Sequence, residues 1–515
     1  MQLSPIFSSP FAVLLTTLFI IGVLKVIVFL YQQHTYWKKR GVPCIRIIPA
    51  FRIAGRLLLR RLSITDYISF IYNYDWDAKY IGLMDMTTPV VLLRDTELIR
   101  DVMVKDFEHF PDHRSFANEE IDPLFSKNIA ALRGNRWKEM RNTLSPSFTA
   151  SKMKVMFELV SKCAREFTEY LTDHPELCSS IDTKDAFRRY TTDVIATSAF
   201  GISVNSMKDR NNEFFTRGVE TTKFGGFSNM MKFMLYRASP RLAKALGFQL
   251  ILPDTSKFFK RIVAETIKTR EEQGIVRPDM IHLLMQARSK EGPNVPEMTL
   301  EDIVAQAFIF FLAGFDTSAT LMCFLAHELA VHRDIQDRLF EEVELHFAEG
   351  NGEISYEAVS KMTYMDMVVS EALRKYPPAI MTDRLCTKSY ELPSTKPGCK
   401  NVILEPNSMT WIPVYALHHD PKYFPNPSKF DPERFSHENK DNIVPYTYMP
   451  FGFGPRMCIG NRFALMETKL LVAYLLHRFI FKVTEKTVEP IVFDAKQLSL
   501  QPVGGFWIAL EKREK

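Results

Sequence analysis

The chain has 515 residues, 46% of them hydrophobic and 24% charged, with a formal net charge of +5. This is ordinary globular usage, which argues against a disordered chain, and the length suits two to four average domains or one large domain with an appendage. The weak charge, with no Lys/Arg stripe interleaved with aromatics, gives no ground for a nucleic-acid partner. Forty phenylalanines and 23 methionines suit an adaptable apolar cavity as well as plain core packing. The 7 cysteines are odd in number and contain no CxxC, which argues against a disulfide framework or structural zinc. By default each is a small buried hydrophobe in a reducing compartment.

In chain order, the first signal is FAVLLTTLFIIGVLKVIVFLY at 11–31. A helix of that length spans about 30 Å, the thickness of a bilayer core. Lys25 lies near enough to its end to snorkel. With no basic region before it and no small-residue cleavage site, it reads as an uncleaved anchor rather than a signal peptide. Lys38, Lys39 and Arg40 follow it, so the positive-inside rule puts the body of the protein in the cytosol. Residues 1–35 are thus the predicted anchor and 36–64 a basic, proline-containing connector. Within the connector, GVP (41–43) and IIPAFRIAG (47–55) predict an extended, stiff chain. Arg52, Arg56, Arg60 and Arg61 either meet anionic headgroups or form a solvated face.

From 65 to 515 the pattern predicts one large, mainly α domain with a minor β portion. Periodic apolar segments predict helices near 95–106, 152–172, 183–200, 256–286, 300–333, 335–348, 364–375 and 462–478. Short runs predict strands at 79–83, 89–93, 402–405 and 410–414.

RWKEMR places Trp137 and Arg141 at i and i+4, as a seat for a flat anionic ligand or as a surface pair. The long helix over 300–333 carries AGFDTS at 313–318, a glycine, an acid and two hydroxyls in an apolar setting. That is either a tolerated kink or a small oxygen-binding notch with a proton donor beside it. Glu371 and Arg374 sit at i and i+3, either an exposed helix pair or, with Arg434 of KFDPERF, a network that braces a loop. His418 and His419 read as structural. Cys458 lies in the tight turn PFGFGPRMCIG, where a buried hydrophobe, a nucleophile and a metal ligand all stay open.

Taken together and in order, these motifs resemble those of the cytochrome P-450 superfamily, over essentially the whole chain. PFGFGPRMCIG resembles its haem-binding loop, AGFDTS its oxygen-activation motif, ExxR at 371–374 its core-helix motif and DPERF its partner arginine loop. The likeness is to animal microsomal members, in particular the insect xenobiotic-metabolising branch. It implies a single domain of that family's fold, haem b, and Cys458 as axial thiolate. It further implies that Phe451 shields the sulfur, Gly454 permits the turn and Gly460 lets the next helix lie near the porphyrin. Trp137, Arg141, Arg384 and Arg456 would hold the propionates, with Gly314 leaving room on the other side. Thr317 would steady dioxygen and Asp316 feed protons. Phe116, Phe308, Ala313 and Ile380 would face substrate, under a roof formed by the aromatic- and methionine-rich 224–236. The implied reaction inserts one oxygen atom into a small lipophilic substrate, with electrons from NADPH through a separate reductase and cytochrome b5 as an auxiliary donor. No GxGxxG opens a helix after a strand here, in keeping with a separate reductase. The implied place is the endoplasmic reticulum membrane. Endogenous lipid or hormone oxidation, a haem-thiolate isomerase or dehydratase, and a haem carrier or gas sensor are the alternatives.

Overall fold

A computed structural model describes all residues except 1–9, 46, 86, 116–118, 223–230, 233, 237–238, 278, 289–297, 498 and 515. The main helices are α1 (Pro10–Lys39), α2 (Ile47–Leu58), α3 (Ile64–Tyr72), α4 (Gly134–Leu144), α5 (Ala150–Asp173), α6 (Thr183–Ile195) and α7 (Glu213–Thr222). They continue with α8 (Pro253–Gln273), α9 (Met280–Arg288), α10 (Leu300–Val331), α11 (Arg333–Glu349), α12 (Thr363–Lys375) and α13 (Asn461–Arg478). The strands are β1 (Tyr80–Asp85), β2 (Thr88–Leu93), β3 (Ile181–Asp182), β4 (Thr382–Leu385), β5 (Tyr390–Leu392), β6 (Val402–Leu404), β7 (Met409–Ile412), β8 (Phe479–Lys482) and β9 (Trp507–Lys512). One sheet runs β1-β2-β7-β4, a second β3-β9-β8, and β5 pairs with β6.

The organising element is α10. A Thr299–Asp302 capping box starts it, and it runs unbroken through the core with Phe308, Phe311, Phe315 and Phe324 fully buried. Its length and hydropathy would suit a membrane span, but most of it is covered by protein, so it is a core helix. α6 lies along it: Ile195 fills the space beside Gly314, where a Cβ would meet Ile195 Cδ1 at 2.7 Å. The helix assignment continues without a break through AGFDTS, and the glycine serves the approach of α6.

Two sequence expectations give way. The 256–286 segment is two helices, because Gly274 adopts φ +61° and closes α8 as a left-handed cap. The connector is not extended over 47–55 but forms α2, with Pro49 in its first turn, where its missing N–H does no harm. Nor does the connector hang free: Trp37, at the end of α1, is buried on β1 and donates to the Leu83 carbonyl at 2.7 Å. Gly82 leaves room for that ring, since a Cβ there would sit 2.5 Å from it.

Candidate functional site

Cavity and thiol. Between α10 and the start of α13 the fold encloses a cavity of about 300 Å³. Ile309, Phe310, Ala313, Gly314 and Thr317 of α10 form one wall, and Cys458, Ile459, Gly460 and Phe463 form the facing one. At one edge stand His113, Trp137, Arg141 and Arg456. The open surface of Cys458 faces this cavity rather than bulk water. Its loop is closed by the Cys458 N–H donating to the Phe451 carbonyl at 2.9 Å. Phe451 itself packs, half-buried, against the main core. Burial raises the thiol's pKa, while the Gly460 N–H and the charge of Arg141 pull it back. The sulfur therefore sits at the N-terminal end of α13, where backbone N–H groups favour an anion.

Gly454 supports that loop by having no side chain. Its φ is +71°, and a Cβ would lie 2.0 Å from the Met103 carbonyl oxygen. Gly452 has nearly the same φ, +72°, but a Cβ there would make only an ordinary contact, with Met103 Cε at 3.9 Å.

The cationic edge. Arg384 is 1% exposed and has no ion pair with a carboxylate among the described residues; its Nη1 donates to the Asp383 carbonyl at 2.7 Å and its Nε has no partner. Burial lowers its pKa to about 10. Arg141 likewise has its pKa lowered by burial, with only the Cys458 charge opposing. Arg456 is committed to the loops: it donates to Pro111 at 2.7 Å, Leu132 at 2.9 Å and Asp112 at 3.0 Å, and stacks on Trp137 at 3.9 Å. His113, unassigned in the sequence, also lies here, with Nδ1 3.0 Å from Asp383 Oδ1.

Comparisons with known proteins decide the family. The Cytochrome P450 family model matches residues 74–509. The chain belongs to the cytochrome P450 family. It is 48% identical to "Cytochrome P450 9e2" of Blattella germanica, over 93% of this chain and 94% of that protein. To "Probable cytochrome P450 9f2" of Drosophila melanogaster it is 42% identical, covering 93% and 96%. To "Cytochrome P450 6j1" of Blattella germanica it is 36% identical, covering 94% and 95%. It is a cytochrome P450 monooxygenase of the type these insect proteins represent, and its cofactor is haem b held by a cysteine thiolate. The residues present fit that group: an inward-facing thiol, an apolar cavity, and an edge where Arg141, with Arg384 close behind by Arg456, lacks the anion that a propionate supplies.

The remaining sequence candidates divide. Glu371 and Arg374 are fully buried and paired through Nη2–Oε1 at 2.7 Å and Nε–Oε2 at 2.8 Å. Arg434 reaches the same carboxylate at 3.5 Å, and the Asp431 N–H donates to it at 2.9 Å, so the three brace the 431–435 turn. His418 is neutral and structural: its Nδ1 donates to the Arg374 carbonyl at 3.0 Å and its Nε2 accepts from the Met449 N–H at 2.9 Å. Thr317 faces the cavity, its hydroxyl donating to the Ala313 carbonyl at 2.5 Å. Asp316 does not line it. Its carboxylate is held by Lys184 at 2.9 Å and Arg188 at 2.6 Å, and these cations keep its pKa below the usual value despite burial.

Among the described pocket candidates only Ala313 is on the cavity wall. Phe308 is corrected: at about 100° per residue it lies on another face of α10 from Ala313 and Thr317, and packs on Phe259 with centroids 5.3 Å apart. Ile380 packs against the main core instead. Phe116 and most of 224–236 lie outside the described residues.

Proposed function

We propose that this P450 is a membrane-anchored monooxygenase acting on small lipophilic molecules, with xenobiotics such as insecticides or plant compounds as the substrate class. The carrying observation is that Cys458 and Thr317 line one apolar cavity whose edge holds Arg141, a guanidinium with no acid partner among the described residues. When bound, the haem activates dioxygen for insertion of one oxygen atom into the substrate. Cys458 would supply the thiolate that holds it, its charge supported by the Gly460 N–H and Arg141. Arg141, Trp137 and Arg456 at the cavity edge, with Arg384 next to Arg456, would hold the propionates. The apolar side chains Ile309, Phe310 and Ala313 orient a lipophilic substrate and exclude water. The Thr317 hydroxyl, its proton turned to Ala313, offers its oxygen to a water in the cavity and so positions a proton.

Electrons come from NADPH through a separate flavoprotein reductase, with cytochrome b5 auxiliary. The anchor reading is supported by α1, which leaves Val13, Leu14, Ile20, Ile21, Leu24 and Val28 exposed and ends on Lys38 and Lys39. Residues 1–35 are the anchor, 36–64 the connector and 65–515 the catalytic domain, on the cytosolic face of the endoplasmic reticulum. With added reductase and a lipophilic compound, NADPH consumption and an oxygenated product are expected. Product formed without NADPH, by rearrangement of an oxidised lipid, would make it an isomerase instead. Carbon monoxide on the reduced protein gives the red-shifted Soret band of thiolate ligation, and retention of that band in Cys458→Ser would remove Cys458 as ligand.

A further inference from the structure

Gln306 is a fully buried amide in the apolar helix α10, and none of the chemistry above uses it. At about 100° per residue, Gln306, Phe310, Ala313 and Thr317 fall within about 60° of one another around the helix. Phe310, Ala313 and Thr317 line the cavity. Gln306 continues their stripe by one turn, but its head is covered by the 127–129 turn. Its Nε2 donates to the Lys127 carbonyl and its Oε1 accepts from the Ile129 N–H, both at 2.8 Å. Neither of these main-chain groups has another partner among the described residues. A hydrocarbon side chain of the same size would leave both buried and unpaired, so packing alone does not account for an amide here.

The turn that Gln306 holds is one stiff unit. Asn128, 1% exposed, accepts through Oδ1 from the Ala130 N–H at 3.0 Å and the Ala131 N–H at 3.2 Å, and donates to the Leu124 carbonyl at 2.9 Å. Ile129 and Ala130 of this unit are cavity wall. On its far side Arg456 of the cysteine loop donates to the Leu132 carbonyl at 2.9 Å and reaches the Ile129 carbonyl at 3.4 Å. Ile129 is therefore gripped twice, by its N–H from α10 and by its carbonyl from the Cys458 loop.

We propose that Gln306 is a positioning residue for the substrate: it sets the separation between the Ile129–Ala130 wall and the cavity face of α10. Gln306 does not itself line the cavity and acts only through the turn. Without its amide the turn loses its hold on α10 while Arg456 keeps the other end, so the wall shifts and a bulky lipophilic molecule loses contact. The seat of Cys458 stays as it was.

This inference rests on the reading of the cavity as a lipophilic site beside haem, and two azoles tested on the haem-loaded full chain separate the two. Imidazole binds iron and is too small to press on the wall; clotrimazole binds iron and also fills the cavity. Both are followed by the Soret shift, without NADPH. Gln306→Leu should bind imidazole as wild type does and clotrimazole about tenfold more weakly. Gln306→Glu should restore clotrimazole binding at low pH, where the neutral acid donates to the Lys127 carbonyl and accepts from the Ile129 N–H. The restoration should fade as pH rises and an ionised oxygen meets that carbonyl, each value being compared with wild type at the same pH. The charged groups around the position are Lys127 on Glu301 at 2.5 Å, Lys260 on Glu301 at 3.7 Å and Asp302 in the cap of α10, and all are common to variant and wild type. A lowered melting temperature with unchanged clotrimazole affinity, or equal weakening of both azoles, would overturn the proposal. Should Gln306→Leu fail to load haem, Gln306→Glu decides, and a clotrimazole affinity that tracks wild type at every pH overturns it. A wild-type protein that binds imidazole but not clotrimazole overturns the lipophilic-site reading and this proposal with it, whereas absence of product with NADPH overturns the monooxygenase reading alone.

Discussion

Alanine at Gly454 and alanine at Gly452 form a matched pair, because the backbone is nearly the same at both: φ is +71° and +72°. Placing a Cβ at positive φ costs about 1–2 kcal/mol, and Gly452→Ala should cost no more, its nearest neighbour being Met103 Cε at 3.9 Å. Gly454→Ala carries that strain and also drives a Cβ to 2.0 Å from the Met103 carbonyl oxygen. The obstacle is backbone, so the loop must move by more than an ångström, adding about 1–3 kcal/mol. For a chain of 515 residues the unfolding entropy makes 1 kcal/mol about 1 °C in melting temperature. Gly452→Ala should therefore melt about 1–2 °C below wild type, and Gly454→Ala about 2–5 °C below. Cys458 is four residues beyond Gly454, so haem occupancy should fall in that variant alone. Soret absorbance during a thermal ramp and haem content per protein check both. Equal losses in the two variants would refute the assignment of Gly454 to the Met103 contact.

Glu371→Gln should leave Arg374 and Arg434 buried without their counter-charge, a loss of about 3–5 kcal/mol, and should yield little haem-loaded protein; normal yield on expression would contradict the network. Thr317→Ala should keep haem but divert NADPH to peroxide, and product as tightly coupled as in wild type would end its proton-positioning role. Stability should depend on pH through Glu467. Its folded pKa, about 8, lies above its ordinary 4.5, so the contribution is fully present below about 4.5 and is lost as pH rises to about 8. The loss is about 5 kcal/mol at the upper end. Glu467→Gln removes that titration, so melting curves of variant and wild type should diverge from pH 5 to pH 8.5; parallel curves would contradict the raised pKa.

Much of the site was legible in the residues because its chemistry is local. The Cys458 loop, the i, i+3 pair Glu371–Arg374 and the Ala313–Thr317 spacing on one helix each place their groups through backbone geometry over a few residues. Helices α5, α10 and α12 followed from apolar periodicity for the same reason. The break at Gly274 and the helix at 47–58 were misread, since one glycine and one proline decide them by position within a turn. The strands β3, β4, β5, β8 and β9 carried too little pattern and gain their hydrogen bonds only from distant partners.

What tertiary structure alone decided is which charges meet. The sequence by itself determined that an acid stands beside Thr317, but only the packing of α6 on α10 brings Lys184 and Arg188 onto Asp316 and holds it ionised. Glu467 stands among apolar residues with nothing local to mark it out. Its burial depends on α5, α6 and α10 closing around it, and a residue's solvation is a property of its neighbours in space rather than in the chain.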